Sequence, residues 1–243
     1  MHESSTILAV ITGTSRGIGA ALAQRAANDG ADVAVVNRTP TGVYEELQAD
    51  LSEVGAWSAF ASWFDDLVEG RQPSQVVFVH NAAMIDPIGF AGAVDQATNQ
   101  TNVLLNSAAP QVLGGAVIAT ARRTGTPTTI VQVSSGAGKS PIAAWSSYCA
   151  AKAGVDMWVR AVGLETADSG SVRVSSFSPG VVDTGMQKAI RQAAASDFPD
   201  SERFHQLHGQ GMLQAPTDVA NKLWDFATSP DWPSGSVIDI RDL

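Results

Sequence analysis

Thr6-Ile7-Leu8-Ala9-Val10-Ile11-Thr12-Gly13-Thr14-Ser15-Arg16-Gly17-Ile18-Gly19 decides the fold. The apolar run 6–12 predicts a buried central strand of a parallel sheet. A glycine turn follows at once, and an Ala-rich helix is predicted from about Ile18 to Asn28. Asp29-Gly30 ends that helix, as glycine commonly does. Asp32 to Asn37 predicts a second strand. Strand, glycine turn, helix and strand within about thirty residues make a βαβ unit of the dinucleotide-binding kind.

The turn residues have separate tasks. Gly13 allows the tight turn, Gly17 lets a pyrophosphate reach the backbone, and Gly19 lets the helix sit close to the sheet. The helix N-terminus offers free N–H groups and a positive dipole end, with Ser15, Arg16 and Ile18 around it. A site for NAD places a carboxylate after the second strand to bind the ribose 2′-hydroxyl. Here the strand ends Val36-Asn37-Arg38, with no acid. Arg38, backed by Arg16, predicts charge-assisted bonds to a 2′-phosphate and hence NADP(H). A third strand is expected within Gly42–Leu51. There Asp50 can accept from an adenine amino group while Leu51 packs near the ring.

The second informative stretch is 134–152. Thr129 to Val133 reads as a buried strand, a Gly/Ser/Pro loop follows, and a helix capped by Ser147 runs to about Ala167. Tyr148 and Lys152 are four apart and share one helix face. Free tyrosine titrates near 10, and a neighbouring cation lowers that value. Ser135 lies thirteen positions before the tyrosine, and its loop is long enough to return its hydroxyl to the phenol.

The remaining elements surround these two. Ser52 to Glu69 predicts a helix whose Trp57, Phe60, Trp63 and Phe64 form a core or subunit-contact stripe. Gln75 to His80 predicts a fourth strand, followed by small residues Asn81-Ala82-Ala83 near a cofactor ribose. Asn81 either ties neighbouring strands together or touches the cofactor. Asp95 to Arg123 predicts a long helix holding Pro110, whose missing N–H frees the Asn106 carbonyl to seat a water. Asn106 is the candidate buried polar residue, with Asn102 as competitor. Arg173 to Phe177 predicts a strand that exits through Ser178-Pro179-Gly180-Val181-Val182-Asp183-Thr184 at the sheet's carboxyl edge, where ligands bind. Residues 185–214 read as a less regular substrate lid, with His205 and His208 solvated. A helix from Pro216 to Ala227 and a strand from Ser236 to Ile240 close the chain.

Composition bounds the function. The 243 residues are 44% hydrophobic, enough for a full core. A net charge of −9 disfavours binding to a nucleic-acid backbone, which needs a basic surface. No apolar run of eighteen residues predicts a membrane span, and residues 1–6 lack a basic secretory n-region. The single cysteine, Cys149, suits a reducing cytoplasm and reads as a small buried residue. The histidines, cysteine and carboxylates show no metal-ligand spacing.

Taken together, Thr-Gly-x-x-x-Gly-Ile-Gly (12–19), Asn-Ala-Ala (81–83), Ser135 with Tyr148-x-x-x-Lys152, and Pro-Gly-x-x-x-Thr (179–184) resemble the short-chain dehydrogenase/reductase family over nearly the whole chain. The resemblance implies an α/β fold: a single Rossmann-type domain over residues 1–243 with a doubly wound, seven-stranded parallel sheet, in a homodimer or homotetramer. His80 and Ala83 depart from the usual Asn and Gly. Tyr-Cys-Ala-Ala-Lys, residues 178–187 and Ser-Gly-x-x-x-Asp (234–239) look most like the sepiapterin reductases and bacterial benzil reductases. That likeness implies NADPH-dependent reduction of a small-molecule ketone or diketone. Ser135 and Tyr148 would bind the carbonyl, Tyr148 would donate the proton, and Lys152 would lower the tyrosine pKa and hold the ribose. Pro179, Gly180, the Val182 backbone and Thr184 would hold the nicotinamide. Asp239 would anchor the substrate's far end, or be an ordinary strand-end residue. A 3-oxoacyl thioester reductase, an alcohol dehydrogenase and a non-catalytic NADP sensor are the alternatives.

Overall fold

A computed structural model describes residues 6–167 and 170–243. Seven parallel strands form one sheet in the order β3-β2-β1-β4-β5-β6-β7. They are β1 Ile7–Thr12, β2 Asp32–Asn37, β3 Glu45–Gln48, β4 Gln75–His80, β5 Thr128–Val133, β6 Val172–Ser178 and β7 Ser236–Asp239. The helices are α1 Gly17–Asn28, α2 Val54–Arg71, α3 Gln96–Val103, α4 Ala109–Thr124, α5 Ser146–Thr166, α6 Gly185–Gln192, α7 Ser201–Gly209 and α8 Pro216–Thr228.

Alternate residues of a strand point to opposite faces, and β1 uses both. Leu8 and Val10 join a core with α2, α4 and α5, whereas Ala9 and Ile11 join one with α1 and α8. A strand buried on both sides must be apolar at every position, hence the unbroken run at its start. Strand order reverses beside β1, whose neighbours are β2 and β4. A crevice therefore opens at the carboxyl ends of these strands. Register puts Thr12, His80 and Gln132 in one row across β1, β4 and β5, and pairs Ser178 with Asp239 on β6 and β7.

Three segments differ from the sequence expectation. The rod from Gln96 to Thr124 is interrupted by a π-turn at Leu104–Ala108, just before Pro110. By length and composition alone this rod could cross a membrane, but 44% of its most apolar window is buried in the fold. The stretch 185–214 is more regular than expected, because α6 and α7 form there. Ser147 does not cap α5, which starts one residue earlier; its hydroxyl donates to the Asn99 side chain instead.

Candidate active site

The glycine turn lies at the carboxyl end of β1. Gly13 has φ +73°, and a Cβ there would come within 2.8 Å of the Ala82 Cα. Gly19 serves the turn more than the sheet: a Cβ would meet the Gly13 carbonyl oxygen at 2.2 Å and Asn81 Nδ2 at 2.5 Å. Helix α1 therefore starts tightly against the turn, with no side-chain cap and no acid in its first turn. Its exposed N–H groups are a phosphate cradle. Asn81 is the tie: its Nδ2 donates to the carbonyls of Thr12 (3.2 Å) and Gly13 (2.9 Å).

Several residues predicted to face the cofactor, Asn37 among them, also bond or pack within the protein. Asn37 is buried, accepting from Thr14 N–H at 2.7 Å and donating to Thr14 Oγ1 and Glu46, so it braces the turn. Asp50 Oδ1 accepts from the Ser52 N–H and hydroxyl, and Leu51 is buried in the core with α2. The Arg16 guanidinium lies beside Gly185 at the start of α6, 3.6 Å from where a Cβ would stand. Arg38 remains exposed at the end of β2, its Nη1 3.9 Å from Asp50.

At the end of β5 the strand hands over to Ser134 and Ser135. Tyr148 and Lys152, on the first two turns of α5, are both buried. Lys152 Nζ donates to the Val133 carbonyl at 2.7 Å and stands 5.6 Å from the Tyr148 ring centroid. Burial dominates both groups. It raises the phenol to about 12, against the Ser135 hydroxyl, which favours the anion. It lowers Lys152 to about 8, against the charge of Asp156. The expected acidification of Tyr148 by Lys152 is thus absent here. The ammonium faces the ring and the Val133 carbonyl, and the group that lowers the phenol against its burial is the Ser135 hydroxyl.

Asn106 and Asn102 are both buried on the helical rod. Asn106 brackets the Met84 backbone, accepting from its N–H at 3.0 Å and donating to its carbonyl at 2.7 Å. Asn102 donates to the Asp86 carbonyl at 2.6 Å. In the π-turn the Ala109 N–H reaches the Leu104 carbonyl, five residues back. In that wider register Pro110 also withholds a donor from Leu105, beside the expected loss at Asn106.

The exit from β6 completes the crevice. Val182 bridges Gln214 in parallel, with Gln214 N–H on the Val181 carbonyl and Asp183 N–H on the Gln214 carbonyl, both at 2.9 Å. In that geometry Val182's own N–H and carbonyl point the other way, as a carboxamide would require. Thr184 Cγ2 lies 3.2 Å from the position of a Gly17 Cβ, so both ends of the site meet. An uncapped helix N-terminus, a clear glycine turn and an unpaired peptide edge fit a nicotinamide dinucleotide.

Beyond this edge lies a cavity of about 570 Å³, lined among others by Ser135, Tyr148, Trp145, Phe204, Met186 and Asp239. Trp145 stacks on Phe198 at 5.0 Å and meets Tyr148 edge-on at 5.9 Å. Asp239 is bound by Arg241, whose Nε and Nη2 donate at 2.7 and 2.6 Å. The sequence reading missed Trp145 and Arg241; Phe198 and Phe204 fall within the stretch it read as a lid. It also missed Asp156, which is buried one turn beyond Lys152 and accepts from Ser176 Oγ at 2.8 Å. The i, i+4 repeat 148–152–156 could have pointed to Asp156. His205 and His208 are exposed on α7, as expected.

Comparison with known proteins agrees with this geometry. The profile of the short chain dehydrogenase family matches residues 8–195. The chain belongs to the short-chain dehydrogenase family. It is an oxidoreductase acting on the CH–OH/C=O couple, in a family that binds nicotinamide cofactors. It is 33% identical to the benzil reductase ((S)-benzoin forming) of Bacillus subtilis, over 97% of this chain and 99% of that one. It is 27% identical to the sepiapterin reductase of Rattus norvegicus, over 96% of each. Among solved structures, KRED1-Pglu superposes with a TM-score of 0.82 at 25% identity, covering 96% of this chain and 100% of that chain.

Proposed function

We propose that this protein is an NADPH-dependent carbonyl reductase for ketones or diketones of the benzil or sepiapterin kind. One observation carries the reading: a buried phenol beside a serine hydroxyl, at the mouth of a cavity of about 570 Å³. Reduction needs a proton donor at the carbonyl oxygen, and Tyr148 is in the donor form at every physiological pH.

The cofactor, when bound, supplies the hydride for the carbonyl carbon. Ser135 holds the carbonyl oxygen and stabilises its growing charge. Tyr148 transfers its proton to that oxygen. Lys152, charged below about pH 8, supports the phenolate left behind. The Asn106 carbonyl is the proposed seat of the water that returns the proton. Arg38 is the proposed 2′-phosphate ligand. With Arg16 turned toward α6, the NADP preference rests on Arg38, and Asp50 Oδ2, 3.9 Å from Arg38 Nη1, is the carboxylate oxygen for the adenine side. Helices α6 and α7 serve as the substrate lid. Exposed Val103, Val112, Met157 and Leu164 on α3, α4 and α5 support a homo-oligomer.

The test is turnover of benzil, sepiapterin and small diketones with NADPH and with NADH. We expect NADPH-dependent reduction that falls by about 10²- to 10⁴-fold in Tyr148→Phe, the usual share of a general acid. NADPH binding by that variant should stay close to wild type. A Tyr148→Phe enzyme with undiminished rate would refute the proton-donor role.

A further inference from the structure

The cavity wall is positive in an otherwise acidic protein. Lys139, Arg203 and Arg241 line it against Asp200 and Asp239, while the chain as a whole carries a net charge of −9. Asp239, the residue a donor-rich ring would need as an anchor, is already occupied. Its Oδ1 accepts from the Arg241 backbone N–H at 3.0 Å and from Nε at 2.7 Å, and its Oδ2 accepts from Nη2 at 2.6 Å. A carboxylate offers about four lone-pair sites, so three donors leave little for a substrate. The same bonds fix the guanidinium in place, so a ligand need not immobilise it. Arg241 Nη1 has no partner among the described residues, and the side chain is 78% exposed at the cavity.

We infer that Arg241 is a specificity-determining residue of this pocket, and that the preferred substrate is a ketone or diketone bearing a carboxylate. This rests on the reductase reading above. The outer edge of that guanidinium, Nη1 with the second N–H of Nη2, can still meet a carboxylate, and Lys139, close enough to act on Asp239, adds a second charge. A ring that must donate hydrogen bonds to Asp239 meets an acid already neutralised.

The experiment compares benzil with 4-carboxybenzil, both as substrates with NADPH and as ligands of the cofactor-free enzyme by calorimetry. The carboxylated compound should be favoured about fivefold in kcat/KM and in affinity at low salt, the upper range for an exposed charge pair. That ratio should fall toward one at about 0.5 M salt, where screening is short-ranged. Arg241→Gln should bring the ratio to about one and Lys139→Gln should reduce it by about half, each read within one enzyme so that overall loss of activity cancels. Equal rates and affinities in the wild type, or a ratio unmoved by salt and by both variants, would overturn the inference. Tighter binding of the carboxylate without turnover of either diketone would instead refute the reductase reading and leave the charge preference standing.

Discussion

Lys152 keeps its ammonium almost out of water, with the residue 4% exposed. Its pKa of about 8 instead of 10.5 measures the strain: holding the charge at pH 7 costs about 3 kcal/mol, at about 1.4 kcal/mol per unit. The bond to the Val133 carbonyl returns part of this. Lys152→Met removes the charge but leaves that carbonyl without its donor and buried Asp156 without its nearby cation, which together cost about 1–3 kcal/mol. The two effects oppose each other. The urea midpoint of Lys152→Met at pH 7 should therefore match or exceed that of wild type, while turnover collapses. A variant that unfolds at markedly lower urea would show that Lys152 is structural. The sign follows from linkage. Between pH 8 and 10.5 the unfolded chain binds the extra proton, so the folded state gains relative stability as pH rises through that window. Activity moves the other way and declines above about pH 8 as the lysine loses its charge. Stability and function at this position pull in opposite directions.

Helices α6 and α7 are held to the site by an aromatic stack. Phe198 between them is fully buried against Trp145, with Phe204 at 5.4 Å from Trp145 and 5.6 Å from Phe198. This cluster contains Tyr148 and is separate from both sheet cores. Phe198→Ala should therefore loosen the lid without melting the sheet. Hydrogen exchange should rise in residues 185–209 while β1, β4 and β5 stay protected, with kcat/KM reduced about tenfold; the ~3–5 kcal/mol of a Phe→Ala truncation is spent locally. Uniform loss of protection would contradict the separation. The same region shows where sequence reading stops. Met186, Ala189, Ile190 and Ala193 repeat at helical spacing and all face this cluster. Eight residues make too short a helix to stand alone, so α6 is legible only once its docking surface is known. The strands are the opposite case. Every residue of β5 is buried, and a run such as Thr128–Val133 declares its environment without help from elsewhere. The glycine turn and the 135–148–152 spacing are equally local. The occupation of Asn37, the direction of Arg16 and the reversed pKa shift of Tyr148 depend on distant partners or on burial, and no spacing encodes them.

Over the whole molecule, two central strands, β1 and β4, meet at a buried histidine. The Thr12 hydroxyl oxygen accepts from Asn81 and Ala82 N–H, both at 3.0 Å, so its own hydrogen is free for His80 Nδ1 at 3.3 Å. That assigns His80 as neutral, with its proton on Nε2. Nε2 makes no well-formed bond, and the backbone of Leu105 in the π-turn is the group that favours ring charge. Burial, with the Lys152 ammonium adding to it, pushes His80 down to about 3 from 6.5. Protonation would place a hydrogen where Thr12 donates and would break the hub joining β1, β4 and the 81–82 backbone. The unfolded chain takes up this proton near pH 6.5 and the folded one near pH 3. The stability contribution is thus complete above pH 6.5 and is lost as pH falls through the interval. Between pH 6.5 and pH 5 the loss is about 2 kcal/mol from this one group. That range lies above the unfolded carboxylates, so Glu46, Asp95 and Asp239 act only at lower pH. Urea unfolding of wild type and His80→Asn at the two pH values measures the difference directly. The variant should lose about 2 kcal/mol less than wild type on acidification, whatever its stability at pH 7, because asparagine accepts from Thr12 at either pH. Equal losses in the two proteins would mean that the acid sensitivity of the sheet lies in other groups and that His80 is charged or neutral alike in both states.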